Sequence, residues 1–484
     1  MTNKEMPLDT SQRWVLALTA IASFMVALDG LVVTTSLPLM QRDLHASIET
    51  LQWTVNAYNL SFSVLLITGA ALGDRFGRRR IFMAGILLFV AASVACALSY
   101  GAVVLIVARV VQGAGAAMVM PLAVTLVGAA YPPQQRARAL GLFSGITGLA
   151  VLSGPVLGGA IAEGVAWQWI FWLNVPIGIA IALLAPRRIA ESRGVAAPLD
   201  FAGLVLATGA ALALVWGLTR GNAAGWASAE VLGCLVAAVV LTVAFIAWEA
   251  RAAFPMIPLR FFRSPVFATA NATVFLLTAT LFGGLFFLAQ FFQVAQGYSA
   301  LAGGLRLLPW TATCFLVAPV SGALVARLGE RTLVSVGLTL QAIGLAWLAA
   351  VASPEAAYGS LILPLVVSGA GISLSIPAAQ NAVLAAVAPA EVGKASGIYS
   401  TFRFLGGVVG IAVSVAVFAH GGRLGDAHGF SAGFGPAIGV CALFSLLGAL
   451  TGLGLPRARA TAPRPAAAHR PAAAAPALRQ GAQS

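Results

Sequence analysis

Charged residues are scarce in this 484-residue chain: Asp, Glu, Lys and Arg together make up 9% of it, whereas soluble globular proteins contain about 25%. Hydrophobic residues make up 60%, and the mean hydropathy is +0.94. Long polar segments are also lacking, since no loop between the apolar segments exceeds about twenty residues, too few for an independent soluble domain. The composition excludes an ordinary soluble protein and predicts an all-α integral membrane protein.

The chain has only four cysteines. Cys96, Cys234, Cys314 and Cys441 lie in four different apolar segments, with no CxxC pair and no His partner, which predicts packing residues instead of a metal centre or a disulfide. The HExxH, GxGD and GxSG patterns of hydrolytic enzymes are also missing. We therefore expect no metal, no cofactor and no enzymatic activity.

Fourteen apolar segments account for most of the sequence. Each is near or above the length of about 20 residues that an α-helix needs to cross a bilayer. They span 14–37, 51–72, 81–99, 102–127, 138–162, 168–186, 201–219, 230–248, 266–292, 303–326, 333–352, 360–387, 395–419 and 432–455. The first segment is too long for a cleavable signal peptide and follows a short polar tail, so we expect none.

The basic residues predict the orientation. With both termini in the cytoplasm, 22 of the 28 Lys and Arg residues fall in cytoplasmic loops and tails, as the positive-inside rule requires. The net charge of +13 is spread over many short loops, which argues against a nucleic-acid surface. We expect a multi-pass protein of the cytoplasmic membrane that contacts lipid and binds no nucleic acid.

Two loop sequences recur at nearly the same distance along the chain. LGDRFGRRRI (Leu72–Ile81) is echoed by VARLGERTL (Val325–Leu333) at a shift of 252 residues, and PQQRARALG (Pro133–Gly141) by PAEVGKASG (Pro389–Gly397) at a shift of 256. Each shift spans eight segments, which predicts two six-helix bundles separated by two extra linking helices around a shared cavity. The predicted parts are a cytoplasmic tail (1–13), the N-terminal bundle (14–186), the two additional helices with their linkers (187–265), the C-terminal bundle (266–455) and a disordered cytoplasmic tail (456–484).

The stretch Ala139–Ala160, ALGLFSGITGLAVLSGPVLGGA, is rich in glycine. A row of glycines follows the predicted helix and continues beyond Pro155: Gly141, Gly145, Gly148, Gly154, Gly158 and Gly159. Without Cβ atoms, this surface allows close backbone contact with neighbouring helices. The proline is expected to bend the helix. The alternative is a simple helix-dimerisation face.

Asp29 is the acidic residue that lies well inside a predicted helix. A carboxylate there costs several kcal/mol unless it is paired, solvated or protonated, which favours a proton-carrying group over the alternative of a structural ion pair. At about 1.5 Å per residue, Asp29, Asn59, Arg109 and Gly154 fall in the outer third of a roughly 30 Å core, so they can share one polar site. Arg109 could instead bond only backbone carbonyls.

Other polar residues lie in apolar segments. Gln290 and Gln293 interrupt a Phe-rich run and are better cavity candidates than the phenylalanines, because amides avoid lipid. Arg403, closer to the cytoplasmic side, is a second intramembrane cation that could equally pack against Gly407 one turn on.

Several motifs resemble those of the major facilitator superfamily. GDRFGRRR at 73–80 resembles its loop motif, ARVVQGAGAA at 108–117 its fourth-helix motif, and GITGLAVLSGPVLGGA its fifth-helix antiporter motif. LDGLVVTTSLP at 28–38 is similar to the first-helix motif of the fourteen-helix drug:proton antiporter family. QWTVNAYNL, FFQVAQGYS and TFRFLGGVVG also resemble that family.

The sequence departs from these motifs at three positions. Ala70 stands where the loop motif usually has Gly, and Leu31 and Thr34 stand where the first-helix motif usually has Thr and Asn. The last two positions bear on how Asp29 is hydrogen-bonded and therefore on the substrate range.

The resemblance implies a major facilitator fold and a proton-coupled antiporter that exports amphipathic small molecules such as drugs, antibiotics and lipophilic cations. It implies proton and substrate coupling by Asp29, Asn59, Arg109, Gln112 and Arg403. Candidate residues of the substrate cavity are Asn56, Tyr58, Gln290, Gln293 and Asn381. The fifth-helix antiporter motif is represented by Gly154, Pro155, Gly158 and Gly159. A latch that stabilises the outward-open state would comprise Asp74, Arg75, Gly77 and Arg78.

The alternatives are a dedicated exporter of one endogenous metabolite, a non-transporting membrane sensor and an intramembrane enzyme. The partners expected are a small amphipathic substrate, protons and membrane lipid, and the chain is expected to act as a monomer.

Overall fold

A computed structural model describes residues 10–194, 198–388, 391–423 and 426–457, and most of the two predicted tails lies outside these ranges. Every regular element in the described ranges is a helix. The α-helices are α1 (Thr10–Leu44), α2 (Ile48–Phe76), α3 (Arg78–Ala97), α4 (Ala102–Ala130), α5 (Pro133–Gly164), α6 (Trp169–Trp172), α7 (Asn174–Arg188), α8 (Phe201–Ala224), α9 (Ala229–Glu249), α10 (Pro265–Gln290), α11 (Ala300–Arg306), α12 (Leu308–Val351), α13 (Tyr358–Ala385), α14 (Val392–Gly421) and α15 (Ala427–Gly452). A 3₁₀ helix (Leu259–Arg263) precedes α10, and a π-helical turn (Phe291–Ala295) follows it.

Polar side chains define where many of these helices begin. The capping residues, each of which accepts a backbone N–H from the first turn, are Ser47, Asp200, Ser228, Ser264, Ser299 and Asp426. Such caps satisfy amide groups that have no partner within the helix. Because lipid offers no hydrogen bonds, the apolar segments between the caps remain helical.

In the described part of the chain, thirteen helices are long and apolar enough to cross a membrane. They correspond to thirteen of the fourteen segments expected from hydropathy, and α6 and α7 together (Trp169–Arg188) form one of them. The remaining segment, 303–326, falls on α11 and the first part of α12, where the structure does not describe several of the side chains. The protein is therefore multi-pass and all-α.

The recurring loop sequences have a common backbone requirement. Gly77, between α2 and α3, has φ 112°, and Gly329, at a break that divides α12 into two helices, has φ 75°. Both values lie in the region that glycine adopts without a steric penalty. The shift of 252 residues thus aligns two junctions that each turn the chain between consecutive helices.

Small residues let helices pack closely within each bundle. In the first bundle (α1 to α7), a Cβ on Gly115 of α4 would come within 2.8 Å of the amide nitrogen of Phe89 on α3. In the second bundle (α10 to α15), Gly410 of α14 lies directly against the backbone of Ala279 on α10. Close backbone approach of this kind supplies the van der Waals contact that holds helices together in lipid.

The two bundles meet along α2 with α14 and along α5 with α11 and α12. The linking helix α8 packs on both α2 and α14. Its Thr219 accepts a hydrogen bond from the Gln52 amide at 3.0 Å, and its Trp216 ring lies 5.8 Å from the ring of Trp53. Helix α8 therefore covers the contact between α2 and α14, and α9 packs on α8.

Candidate functional site

Asp29, near the middle of α1, forms a buried ion pair with Arg109 of α4. Arg109 is 0% exposed and Asp29 is 3% exposed. The other carboxylate oxygen of Asp29 accepts hydrogen bonds from the amide nitrogens of Gln112 (2.8 Å) and Asn174 (2.9 Å). Three side chains from two other helices, α4 and α7, therefore converge on this carboxylate, which stabilises its charged form within the bundle.

Further contacts orient the residues that bind Asp29. The hydroxyl of Ser93 on α3 accepts from Gln112 at 2.9 Å and from Asn174 at 3.3 Å. Arg109 donates to the Gln112 amide oxygen at 2.6 Å and, through Nε, to the Thr54 carbonyl at 3.1 Å. Because Arg109 and Gln112 are three residues apart on α4, they lie on the same helix face.

Aromatic rings enclose the guanidinium group of Arg109. Its central carbon lies 4.2 Å from the centre of the Tyr58 ring and 5.7 Å from that of Phe171. The Tyr58 hydroxyl donates to the Val26 carbonyl at 3.0 Å and so fixes its own ring. Nη2 of Arg109 is buried without a hydrogen-bond partner among the described residues, which leaves its two N–H groups available for water or a ligand.

Two members of this cluster, Ser93 and Asn174, are absent from the candidates drawn from sequence. Asn174 carries the same signal that selected the glutamines, since it is an amide within an apolar segment. Ser93 has no such signal, because serine is common in membrane helices and is small enough to pack without a partner.

The other α2 candidates lie near the cluster in sequence but do not bond to Asp29. Asn56 is fully buried, and both of its amide atoms lack partners among the described residues; the buried amide nitrogen of Asn59 also lacks one. Unsatisfied buried amides are costly. They favour water or a ligand beside this face of α2.

Gln290 and Gln293 are both buried, as expected, but on the second bundle. The Gln293 amide donates to the Thr35 carbonyl of α1 at 2.8 Å, a direct bond between the bundles. The Gln290 amide donates to the Phe286 carbonyl at 2.9 Å, and its oxygen lacks a partner among the described residues. Neither glutamine joins the Asp29 cluster.

Arg403 and Asn381 also lie apart from Asp29. Arg403 is half-buried with its guanidinium 5.6 Å from the centre of the Phe404 ring, and a Cβ on Gly407 would meet Phe282. The Phe404 ring lies 4.1 Å from that of Phe62 on α2, at the contact between the bundles. Asn381 is exposed and donates to Glu330 at 2.5 Å, beside the break in α12.

The loop motif forms a compact network at one end of the first bundle. Asp74 accepts a hydrogen bond from Arg78 Nε at 2.8 Å across the turn at Gly77. Arg75 is exposed and lies over the Phe76 ring. These contacts join the end of α2 to the start of α3.

Glu191, which follows α7, is a further member of this network that the sequence did not single out. Its carboxylate accepts the backbone N–H groups of Arg79 at 2.9 Å and Arg80 at 3.3 Å, at the first turn of α3. Arg78 N–H donates to the Ser192 carbonyl at 2.8 Å. A carboxylate at a helix N-terminus is favoured by the orphan amides and the helix dipole.

The glycine row of α5 packs in only one of its two halves. The expectation of close contact is wrong for Gly141, Gly145 and Gly148 among the described residues, since a Cβ on any of them would meet none of their atoms within 4 Å. It holds for Gly154, whose Cβ would lie 2.9 Å from Leu31 Cβ, and for Gly158, whose Cβ would lie 2.7 Å from the Val32 carbonyl oxygen. Sequence periodicity identifies a small-residue face but not whether a neighbour covers it.

Beyond Pro155, α5 also contacts the second bundle. A Cβ on Gly159 would overlap the carbonyl of Ala300, and a Cβ on Gly304 would overlap the carbonyl of Pro155. The Glu163 carboxylate accepts the backbone N–H of Leu301 at 2.9 Å. We call this contact between α5 and α11 the α5–α11 seal; in the predicted orientation it lies on the outer side.

In the described residues no group of three or more His, Cys, Asp or Glu side chains is placed to hold a metal ion. The cluster around Asp29 contains one carboxylate together with amides, a hydroxyl and a guanidinium. Its chemistry suits proton exchange and hydrogen bonding to an organic ligand more than metal binding.

The family model described as Major Facilitator Superfamily matches residues 19–411 and 310–481. A tetracenomycin C resistance and export protein of Streptomyces glaucescens is 36% identical over 410 residues, which cover 84% of this chain and 76% of that protein. A cephamycin export protein of Amycolatopsis lactamdurans is 34% identical over 456 residues, 93% of each chain.

The crystal structure of a peptide transporter in complex with sulfate has a similar fold, with a TM-score of 0.66 and 17% sequence identity over 91% of this chain and 93% of that one. The fold class expected from the motifs, two six-helix bundles with two extra linking helices, is thereby confirmed. The chain belongs to the major facilitator superfamily.

Proposed function

We propose that this protein is a proton-coupled antiporter that exports amphipathic small molecules across the cytoplasmic membrane, with both termini in the cytoplasm. The observation that carries the proposal is the fully buried Asp29–Arg109 pair in a chain similar to proteins named for the export of tetracenomycin C and cephamycin. Drugs, antibiotics and lipophilic cations are the substrate classes that fit an apolar membrane protein of this kind.

Asp29 suits proton coupling because its negative charge is stabilised by three side chains, Arg109, Gln112 and Asn174. Protonation would remove the ion pair with Arg109 and weaken the bonds from Gln112 and Asn174, since hydrogen bonds to a charged acceptor are roughly twice as strong as those between neutral groups. The freed donors would then be available to a different arrangement of α1, α4 and α7. Proton binding at Asp29 can thus bias the equilibrium between two conformations.

The packing of α5 supports a rocking movement of the two bundles. The half of α5 beyond Pro155 packs against α1 and α11, whereas a Cβ on Gly145 or Gly148 in the other half would meet no atom of the described residues within 4 Å. In the predicted orientation this contact closes the outer side around α5, whereas the described residues leave the cytoplasmic half of its glycine row uncovered. Protonation of Asp29 from the acidic outside would favour substrate release, and deprotonation inward would reset the site.

A dedicated exporter of a single metabolite is the second candidate function. The names of the tetracenomycin C and cephamycin exporters each specify one compound or class, which favours this reading over a membrane sensor. The two candidates share the same mechanism and differ only in substrate range.

Proton flux in proteoliposomes tests the proposed function. Purified protein would be challenged with a panel of lipophilic cations and of neutral polycyclic aromatics, and internal pH would be followed with a dye. We expect several chemically different compounds to drive proton movement, whereas a dedicated exporter would respond to one class. Binding or transport of compounds without any proton movement would contradict antiport.

Asp74→Asn is expected to change the ratio of the inward-open and outward-open populations without loss of substrate binding. Asp74 pairs with Arg78 at the end of α2, and the partly exposed pair contributes about 1 kcal/mol or less, so the expected change is up to about fivefold. Labelling of single cysteines introduced on each face would measure it.

Arg80→Gln provides the control for the Asp74 variant. Its side chain is 67% exposed, and its one ion pair, with Glu191, is 3.8 Å long. Unchanged labelling on both faces together with lost substrate binding in Asp74→Asn would refute the latch.

A further inference from the structure

A second pair of carboxyl groups lies where the linking helices α8 and α9 meet. Asp200 caps the start of α8, and Glu249, only 3% exposed, ends α9. One oxygen of Asp200 accepts from the Gly203 N–H and the Trp248 indole N–H, each at 2.8 Å. One oxygen of Glu249 accepts the Ile257 N–H at 3.1 Å.

The other two carboxyl oxygens face each other. Oδ2 of Asp200 and Oε1 of Glu249 are both buried and have no donor among the described residues. A Cβ built on Gly203 would lie 2.5 Å from Asp200 Oδ2 and 2.9 Å from Glu249 Oε1, so the two oxygens are no more than about 5.4 Å apart. A hydrogen bond between the two side chains requires a proton on one of them.

No basic side chain neutralises this pair in the described residues. The basic residues of the neighbouring segments are Arg193, Arg251, Arg260 and Arg263. All four are exposed, Arg260 pairs with Glu391, and no ion pair joins any of them to either carboxyl group. Asp200 is the charged side chain that faces Glu249. Glu249 is buried and Asp200 is half-buried. Two neighbouring carboxylates in this setting without a cation repel each other, which favours a proton on one of them.

We infer that Asp200 and Glu249 form a proton-binding site that shares one proton, separate from Asp29 and built entirely from the linking helices. A divalent cation fits poorly, since hard cations take six or more oxygen ligands and this site offers two free carboxyl oxygens. The site does not depend on the proposed transport function.

The proton shared by Asp200 and Glu249 affects how the linking helices contact the segment that follows α9. The second oxygen of Glu249 holds the backbone of Ile257, in the segment that leads from α9 to the second bundle. Loss of the proton would place two negative charges side by side and would push the start of α8 away from the end of α9. As pH rises, the contact between the linking helices and this segment would weaken.

Thermal unfolding of the full-length protein in nanodiscs tests the site. The folded pair retains a proton that the two separated carboxyl groups release on unfolding, so its contribution to stability falls as pH rises. Between about pH 5.5 and 8.5 we expect the wild-type Tm to fall by about 2–5 °C more than that of Glu249→Gln, in which the amide replaces the protonated carboxyl.

Glu230→Gln is the matched control, because Glu230 lies in the first turn of the same helix and pairs with Arg220 in an exposed position. It is expected to keep the wild-type pH slope. Infrared spectra should also show a protonated-carboxyl C=O band in the wild type that Glu249→Gln lacks. If Glu249→Gln does not fold, Asp200→Asn, which keeps the capping oxygen, takes its place in both measurements.

Two outcomes would overturn the inference. Equal pH slopes in the wild type and Glu249→Gln, with the same carboxyl band, would mean that no proton is shared. A wild-type slope that is abolished by added Na⁺ or Mg²⁺ would identify a metal-cation site instead.

Discussion

Proton-driven uptake into inside-out vesicles is expected to fall to the protein-free background when Asp29 is replaced by Asn. The amide has nearly the same shape and can still accept a bond from Arg109, but it cannot take up and release a proton. Asp29→Glu keeps the titratable group and moves it by about one bond, so partial activity is expected. Uptake driven by an imposed pH gradient, normalised to the amount of protein in the membrane, measures the effect.

Asp43→Asn supplies the control on the same helix. Asp43 is exposed and accepts the Trp167 indole N–H at 2.8 Å, a bond that the Asn oxygen can also accept. It should transport at the wild-type rate. Wild-type rates in Asp29→Asn itself would refute the assignment of Asp29 as the proton carrier.

Stability has to be separated from coupling in this experiment. Removing one member of a buried ion pair costs about 3–5 kcal/mol, because the other charge stays buried. Arg109 keeps its bonds to the Thr54 carbonyl and the Gln112 oxygen, so we expect the single variant to insert and fold. The double variant Asp29→Asn/Arg109→Gln removes both charges, and recovery of Tm without recovery of transport would show that the titratable group, not the fold, was missing.

The fold was accessible from the sequence because lipid restricts the choice of structure. A long apolar segment in a membrane must be helical, and therefore hydropathy alone located the helices. The division of α12 at Gly329 was also foreseeable, since the repeated loop aligns it with Gly77 and both need a positive φ. Hydropathy does not reveal that α8 covers the contact between α2 and α14, because lateral packing depends on side-chain shape.

Residue counting groups Asp29, Arg109, Asn59 and Gly154 at one depth, but in the structure only Arg109 of the other three contacts Asp29. Counting residues placed Asn59 and Gly154 at the level of Asp29, yet neither bonds to it; Gly154 instead contacts Leu31 on the same helix as Asp29. Rise per residue fixes the height of a side chain, whereas its rotation about the helix axis depends on how the helices pack. The residues that do reach Asp29 include Asn174, whose role emerges only when α7 is placed beside α1 and α3.

Gly159→Ala is expected to open the α5–α11 seal, because it adds one methyl group where α5 touches α11. A Cβ on Gly159 would overlap the carbonyl of Ala300 and lie 2.8 Å from the Leu301 Cα. Backbone atoms cannot move aside as a side-chain tip can, so the bundles themselves must separate there. Overpacking of this kind costs about 1–3 kcal/mol.

The added methyl group in Gly159→Ala destabilises the conformation in which the α5–α11 seal is closed. It does not destabilise the conformation in which the seal is open. The equilibrium should therefore shift toward the outward-open state by about 5- to 150-fold, the population change that 1–3 kcal/mol produces. A single cysteine placed beside α11 should become accessible to a membrane-impermeant reagent from outside, and export should slow because closure of the outer side is hindered.

Two other alanine variants on the same helix separate sealing from packing. Gly154→Ala adds its methyl group against Leu31 within the first bundle, and therefore should lower the Tm without changing the labelling. Gly145→Ala meets no atom of the described residues within 4 Å and should change neither the Tm nor the labelling. A lowered Tm with unchanged labelling in Gly159→Ala would show that this glycine only packs. If labelling rises in Gly159→Ala and in neither of the other variants, the α5–α11 seal is the outer gate. The same methyl group would then change accessibility only at the position where α5 touches the other bundle.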